Sequence, residues 1–268
     1  MNEKETKKFT KKKGVTQIIE SSLVSIASSF PIAASLASGW SEFKNHKQAE
    51  RIEQILMDFG KRLHDIESEV DKEYLSSDEA KFVIEQTINA GKDELLLEKR
   101  KYLSEFLANS ATKKLAQDSE KKMVLDTIIR INPLQALLLE TITEMLVVEW
   151  GRKNLSLGSD FNPYAKEKAT FGYIMEIDLV KTTHIKSRRL ATKENLESSL
   201  DYMVSIGLIE HASARGWTKV VGVKGFRPTK LGIKILQYLG IDIDEMISKE
   251  RFDEIRREFD KENPINKK

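Results

Sequence analysis

Cysteine is absent from the 268-residue chain, and proline and aromatic residues are sparse, with 5 prolines and 7% Phe, Trp and Tyr. The absence of cysteine excludes disulfide bonds, thiolate metal ligands and cysteine nucleophiles. A chain without disulfides is typical of a reducing compartment. We therefore expect a cytoplasmic location.

Sequence motifs of catalysis and cofactor binding are also missing. The chain contains no Walker loop, nucleophile elbow, dinucleotide fingerprint or zincin motif. Its four histidines fall in separate predicted elements, and His64-x-x-Glu67 occurs once, whereas a di-metal helical bundle needs paired motifs. Glu140 and Glu144 lie one helical turn apart, a spacing interpreted as chance in an acidic helical region. We expect no enzyme activity, no metal, no cofactor and no small-molecule substrate.

A large net charge is lacking, because 44 Lys and Arg stand against 42 Asp and Glu, which leaves +2. No field of the whole molecule would attract nucleic acid. The charge is unevenly distributed, however, since residues 181–234 contain eleven Lys and Arg and four Asp and Glu, a net +7. This segment is the place where phosphate binding is most credible.

The segment 21–40, "SSLVSIASSFPIAASLASGW", contains no charged residue and follows a basic start with six Lys and two Glu in residues 1–13. Its length suits a membrane-spanning helix, and its small residues recur every four positions. Seven serines and Pro31 dilute its hydrophobicity. Three interpretations stay open: a segment that enters or lies on the inner membrane, a buried or hairpin segment packed on the following helices, and a cleaved signal peptide. The residues expected to contact lipid are Leu23, Val24, Ile26, Phe30, Ile32, Leu36 and Trp40.

Residues 42–155 show the periodicity of a helical bundle. Apolar residues at steps of three and four predict a long amphipathic helix over 42–75; they are Ile52, Ile55, Leu56, Phe59, Leu63, Ile66 and Val70. Ser76 and Glu79 have the spacing of a capping box that opens a second helix, interrupted at Ala90-Gly91. A third stripe comprises Leu95, Leu96, Tyr102, Leu103, Phe106 and Leu107. The exposed stripes of these helices predict a homo-oligomer.

Two further helices complete this region. The first covers 118–131, and the second begins at Pro133 with Asn132 as its N-cap. The stretch "GRKNLSLGSDFNPY", 151–164, is rich in Gly, Ser, Asn and Pro, which predicts a linker and a domain boundary.

Beyond the linker the pattern changes. We expect a strand near 171–179, a helix ended by Gly207, a strand over 208–211, a second strand over 218–226 and a helix from Thr229. With "SIGLIEHA" and "FRPTKLGIKIL" as its most specific words, the stretch of about 170–240 resembles the winged helix-turn-helix modules of bacterial repressors. Residues after Gly240 predict a charged helical tail with Met246, Phe252, Ile255 and Phe259 on its apolar side.

The predicted fold is therefore mainly α. The domains are a basic N-terminus and uncharged segment (1–41), a helical bundle (42–155), a small α+β winged-helix-like domain (165–240) and a helical tail (241–268).

The winged-helix resemblance implies nucleic-acid binding, and the candidate residues belong to the basic segment. They are Lys186, Arg188, Arg189, Lys193, Asn195, Arg215, Lys219, Lys224 and Arg227. Acidic residues in the predicted recognition helix argue against strong base reading, and protein binding by this module stays open.

The words "LANS" and "INPLQALLLE", within "EKRKYLSEFLANSATKKL" and "VLDTIIRINPLQALLLETI", resemble helical proteins of the bacterial abortive-infection and phage-resistance type over about 20–150. The resemblance brings no active-site residues. It leads to a first hypothesis, a non-enzymatic defence or stress effector whose basic module senses nucleic acid or a partner while the N-terminal segment associates with or perturbs the inner membrane. The alternatives are a soluble DNA-binding transcriptional regulator with a helical dimerisation domain, and a scaffold.

Overall fold

The structure is a computed structural model that describes residues 46–156, 174–175, 193–211, 225–241, 243–246 and 248–262. It is mainly helical and has a small antiparallel sheet, as the sequence predicts. The chain forms two compact units. Unit 1 comprises residues up to Ile131 together with Tyr238–Gly240, and unit 2 comprises Asn132–Gln237 and the residues from Ile241 onward.

The division differs from the predicted boundary at 151–164. Helix α6 starts at Pro133, within unit 2, and continues to Ser156, so residues 151–156 of the predicted linker are helical. Gly151 lies inside this helix, where a Cβ atom would come within 3.0 Å of Ile255 Cδ1. The small residue that suggested a linker instead permits close helix packing. Residues 157–164 lie outside the described residues.

The described part of unit 1 contains five helices and one 3₁₀ turn. They are α1 (His46–Asp65), the 3₁₀ turn (Glu67–Glu69), α2 (Lys72–Leu75), α3 (Asp78–Gly91), α4 (Leu97–Ser110) and α5 (Lys121–Arg130). Helix α1 packs mainly on α4, and α3 and α5 also pack on α4. The predicted stripe from Ile52 to Val70 is buried throughout.

The prediction of one continuous helix over 42–75 is wrong. Helix α1 ends at Asp65, and Val70 pairs with Thr112 in an isolated β-bridge. Asp71 then caps α2, because its side chain accepts hydrogen bonds from the backbone N–H groups of Glu73 and Tyr74 at 3.0 Å. A long-range bridge and a local cap thus replace helical hydrogen bonds.

Two local predictions in unit 1 need correction. Ser77, rather than Ser76, caps α3, because Ser77 Oγ accepts from the N–H of Ala80 at 3.1 Å. Leu95 and Leu96 are exposed and precede α4, while Leu103, Phe106 and Leu107 are buried as predicted. The helical spacing of apolar residues does not by itself tell which of them are buried against another element.

The stripe of Ile52 to Val70, on which the prediction of self-association rested, is occupied by the helices of unit 1 itself. It therefore offers no free surface to a second copy. A homo-oligomer stays a prediction that needs a different surface.

Tyr238–Gly240 complete unit 1 from the far end of the sequence. Tyr238 is fully buried, its ring stacks on Phe106 with 5.2 Å between centroids, and its hydroxyl group donates to Asp118 Oδ2 at 3.1 Å. Asn109 Nδ2 donates to the Tyr238 carbonyl oxygen at 3.1 Å. Gly240 follows with a φ of +78°, which favours glycine.

Among its described residues, unit 2 contains α6, four further helices and the sheet. They are β1 (Ile174–Met175), α7 (Lys193–Ser205), β2 (Ile209–His211), β3 (Gly225–Pro228), α8 (Lys230–Tyr238, whose last residue belongs to unit 1), α9 (Ile243–Met246) and α10 (Lys249–Glu262). The strand order is β1-β3-β2, and both pairs are antiparallel. Helix α6 packs against α10, α7 and the sheet. The predicted helical tail is therefore part of unit 2. On the predicted apolar side of this tail, Phe252 and Ile255 are buried and Met246 is half-buried, and the side chain of Phe259 lies outside the described residues.

The predicted boundaries of unit 2 are largely confirmed where they are described. Asn132 and Gln135 cap α6 reciprocally, each side chain accepting from the other residue's backbone N–H at 2.9 Å. Gly207 follows α7 with a φ of +75°. Thr229 caps α8, because its hydroxyl oxygen accepts from the N–H of Gly232 at 3.2 Å. The strand predicted over 218–226 needs correction at its end, because β3 covers Gly225–Pro228 and so continues two residues further; residues 212–224 lie outside the described residues.

Candidate nucleic-acid interface

Helix α7 (Lys193–Ser205) corresponds to the helix that the sequence predicts as the recognition helix. Leu196, Leu200 and Met203 bury one side of it within unit 2. Its opposite side exposes Glu194, Asn195, Ser198 and Asp201. The exposed side is therefore polar and carries acidic groups.

Only part of the candidate set lies in the described residues. Lys193 is the first residue of α7, Asn195 is its third residue and is exposed, and Arg227 lies on β3. Lys186, Arg188, Arg189, Arg215, Lys219 and Lys224 fall outside the described residues. The structure thus places the start of α7 and strand β3. The phosphate-binding role of the six other cations stays a prediction.

Arg227 is already engaged by a carboxylate. The register of the sheet sets Glu210 of β2 directly opposite Arg227 of β3. Arg227 Nε donates to Glu210 Oε1, and its Nη2 forms an ion pair with the same oxygen. The side chains are 35% and 45% exposed, so the pair is in contact with water. A phosphate would have to compete with Glu210 for this guanidinium.

The charge balance shows where the positive excess resides. Residues 193–211 and 225–234 contain four Lys and Arg and four Asp and Glu. The seven remaining cations of the basic segment occur in 181–192 and 212–224, which contain no acid. These two stretches precede α7 and connect β2 to β3, respectively.

All seven candidate lipid-contacting residues, Leu23 to Trp40, lie outside the described residues. In the part of the chain that the structure describes, no single helix has the length and apolarity needed to span a membrane. The consecutive helices α5 and α6 meet these two criteria only when taken together.

A buried lysine in unit 1 was missed by the sequence prediction. Lys121 Nζ donates to Glu79 Oε1 at 2.9 Å and to the carbonyl oxygens of Ala116 and Asp118 at 2.6 and 3.0 Å. It also lies 4.6 Å from the ring centroid of Tyr74. Burial is the largest cause that raises the pKa of Tyr74 and of Tyr238, and the carboxylate of Asp118 raises the pKa of Tyr238 further. The doublet Lys121-Lys122 gave no signal of this difference in burial.

An acidic cleft in unit 2 was also missed. A cavity of about 460 Å³ is lined by Glu140 and Glu144 of α6, by Glu245 of α9 and by Glu250 and Glu254 of α10. Arg251 shares this lining and forms an ion pair with Glu254. From the sequence, the spacing of Glu140 and Glu144 is interpreted as chance in an acidic region, and the other acids of the cleft follow about a hundred residues later in the chain. Within the described residues, no cluster of His, Asp or Glu has the arrangement of a metal site.

Comparisons with protein-family models, with curated protein sequences and with solved structures found no match to this chain.

Proposed function

We propose that the chain is a non-enzymatic bacterial defence or stress effector whose unit 2 contains a winged-helix module that binds duplex nucleic acid. In the same proposal, the N-terminal segment 21–40 associates with or perturbs the inner membrane. The proposal keeps the two functions on separate parts of the chain, one cationic and one apolar.

The observation that carries the nucleic-acid part is the strand order β1-β3-β2 following helix α6, with α7 directly before β2 and α8 directly after β3. A winged helix has this sequence of helix, strand, hairpin, strand and helix. Its hairpin connection is the wing, and the helix before the hairpin is the recognition helix. This correspondence supports the winged-helix assignment.

The position of the charge supports the same proposal. In such a module the wing would be residues 212–224 and the approach to the recognition helix would be residues 181–192. These two stretches carry the seven cations that make up the positive excess of the basic segment. Cations on both sides of a groove neutralise backbone phosphates.

The acidic exposed side of α7 limits what the module reads. Glu194 and Asp201 repel phosphate, although Asn195 can pair with adenine. We therefore expect affinity that comes from the backbone and depends strongly on salt, with weak discrimination between sequences.

The test uses the full-length protein and a fluorescent DNA duplex at about 50 mM salt, where phosphate contacts are strong. The variant Arg188→Ala/Arg189→Ala/Lys224→Ala should lose at least ten-fold in affinity, and the slope of log K against log salt should fall by about 2 to 3. The matched control, Lys47→Ala/Lys61→Ala/Lys122→Ala, removes three cations of unit 1 and should bind like the parent. Absence of duplex binding by the parent at this salt would contradict the proposal.

A soluble transcriptional regulator with unit 1 as dimerisation domain is the second candidate. The exposed apolar residues of unit 1, among them Leu95 and Leu96, favour it because they could contact a second copy. Cell fractionation separates the two candidates. The effector should occur in the membrane fraction and lose it on deletion of residues 1–41, whereas the regulator should remain in the soluble fraction in both forms.

A further inference from the structure

Three consecutive leucines form the most exposed apolar stretch in the described part of unit 1. Leu95, Leu96 and Leu97, here called the leucine turn, are 73%, 47% and 52% exposed. Single exposed apolar residues are ordinary, but a contiguous group is typical of a contact surface.

The leucine turn is held in place by its neighbours. Arg100 Nη1 donates to the carbonyl oxygens of Glu94 and Leu95 at 2.9 and 3.1 Å. The N–H of Leu96 donates to Glu94 Oε1 at 2.9 Å. Lys99 donates to the carbonyl oxygen of Ile129, which is itself an exposed apolar residue. The leucines are therefore presented by a fixed backbone rather than by a fraying helix end.

The first turns of α1 lie directly beside this surface. Gln48 Nε2 donates to Asp93 Oδ1 at 2.7 Å, and Arg51 Nη1 donates to the Lys92 carbonyl oxygen at 3.1 Å. Arg100 also donates to Gln54 Oε1 at 3.2 Å. Helix α1, the first described element of the chain, therefore starts beside the leucine turn.

The tether between the two apolar stretches is short. Trp40 precedes Gln48 by eight residues, and eight residues span at most about 28 Å. A short tether gives an effective concentration in the millimolar range. Cations and acids nearly balance around the turn, four against three in residues 92–101, so no large excess of positive charge attracts anionic lipid to this surface.

We propose that the uncharged segment 21–40 docks on the leucine turn and Ile129 of its own chain, and that this contact shields both surfaces until a trigger releases the segment. The occupant is the chain's own N-terminal segment because it is tethered beside the surface and supplies seven bulky apolar side chains. The regulatory part rests on the proposed function, since it assigns the released segment to the membrane.

The absence of cysteine in the native chain permits a direct test by cross-linking in the full-length protein. Leu96→Cys is combined with Ile26→Cys, Ile32→Cys or Leu36→Cys, and each double variant is treated with a short bismaleimide. At least one pair should give a cross-linked monomer whose yield does not change on ten-fold dilution. The control variants carry Phe82→Cys in place of Leu96→Cys. Phe82 is an exposed apolar residue of α3, about 13 Å along the helix from Gly91. These control variants should not cross-link.

Hydrogen exchange provides a second measurement. In the full-length variant Ile32→Glu/Leu36→Glu, exchange of the amides in 94–98 should rise at least ten-fold. Ser25→Glu/Ser29→Glu adds the same charge at polar positions and should leave these amides as in the parent.

Cross-linked dimers that vanish on dilution would overturn the docking proposal, because they identify a second copy as the occupant. The absence of a cross-link, together with unchanged exchange in Ile32→Glu/Leu36→Glu, would also overturn it. Protection of 94–98 that arises only with anionic vesicles would overturn it as well and assign the surface to lipid. Duplex binding is measured on the same variants. If duplex binding persists while the cross-link and the exchange change are absent, only the docking proposal is wrong. If duplex binding is absent while the cross-link forms, the nucleic-acid proposal is wrong.

Discussion

Unit 1 and unit 2 each contain a helical glycine against which a neighbour packs closely, but the neighbours differ in kind. A Cβ atom on Gly91 in unit 1 would come within 2.2 Å of Ile55 Cδ1, the end of a flexible side chain. A Cβ atom on Gly232 in unit 2 would come within 2.2 Å of the carbonyl oxygen of Leu208. At Gly91, unit 1 closes against a side chain that can adjust, whereas at Gly232 helix α8 of unit 2 approaches a backbone carbonyl.

The largest expected effect follows from this difference. Gly232→Ala should lower the free energy of unfolding of unit 2 by roughly 3 kcal/mol, because the Leu208 carbonyl cannot move without disturbing β2 and the cap at Thr229. Gly91→Ala should change unit 1 by less than about 1.5 kcal/mol, because Ile55 can take another rotamer. Hydrogen exchange of peptides from each unit measures the two effects separately. Equal losses in both variants would abolish the distinction between the units.

The second comparison concerns a buried and an exposed lysine. Lys121→Met should lower the free energy of unfolding of unit 1 by roughly 2 kcal/mol, because the carbonyl oxygens of Ala116 and Asp118 lose a charged donor. Lys122→Met, at the exposed neighbour, is the matched control and should be within about 0.5 kcal/mol of the parent. Chemical denaturation followed by exchange in unit 1 provides the values. A neutral Lys121→Met would show that packing by methionine replaces the network.

High pH should weaken unit 1 through its tyrosines. The pKa of Tyr238 is raised by burial and by Asp118, so the folded chain keeps the phenol proton while the unfolded chain releases it near the ordinary pKa of 10.0. The contribution to stability is present below pH 10 and is lost as the pH rises above it, at about 1.4 kcal/mol per pH unit for one such group. Tyr238→Phe should remove this contribution to the slope of the free energy of unfolding against pH between pH 10 and 11. Urea titrations at each pH measure that slope. A slope identical to that of the parent would exclude Tyr238 as its source.

The smallest effect is expected at the exposed pair of unit 2. A double-mutant cycle with Glu210→Ala and Arg227→Ala should give a coupling energy below about 1 kcal/mol, because both side chains are in contact with water. The same Glu210→Ala should strengthen duplex binding by a few-fold, since it removes an acid that competes with phosphate for Arg227. Weaker binding by Glu210→Ala would indicate that the ion pair positions Arg227 for the phosphate.

Much of the fold could be predicted because local rules decide it. The stripe from Ile52 to Leu63 and the caps at Asn132, Gly207 and Thr229 depend on residues within one or two turns. The break after Asp65 could not be predicted, because it depends on the pairing of Val70 with Thr112. Tertiary partners also decide that Leu103 is buried and Leu95 exposed.

The candidate site was less accessible to sequence reasoning. A net charge can be counted along the chain, but the neutralisation of Arg227 follows from a strand register that sets Glu210 opposite it. The acidic cleft likewise needs α6 and α10 to be brought together. Pairing across long separations, rather than residue type, determines both features.

The burial of Tyr238 also has a consequence for how the protein is made. Residues Tyr238–Gly240 leave the ribosome more than a hundred residues after Ile131, a delay of roughly 5 to 20 s at ordinary rates of synthesis. Until then Phe106 lacks its stacking partner and the amide of Asn109 lacks its acceptor. The N-terminal unit is translated first but can be completed only near the end of translation, so a truncated messenger would yield an unfinished core.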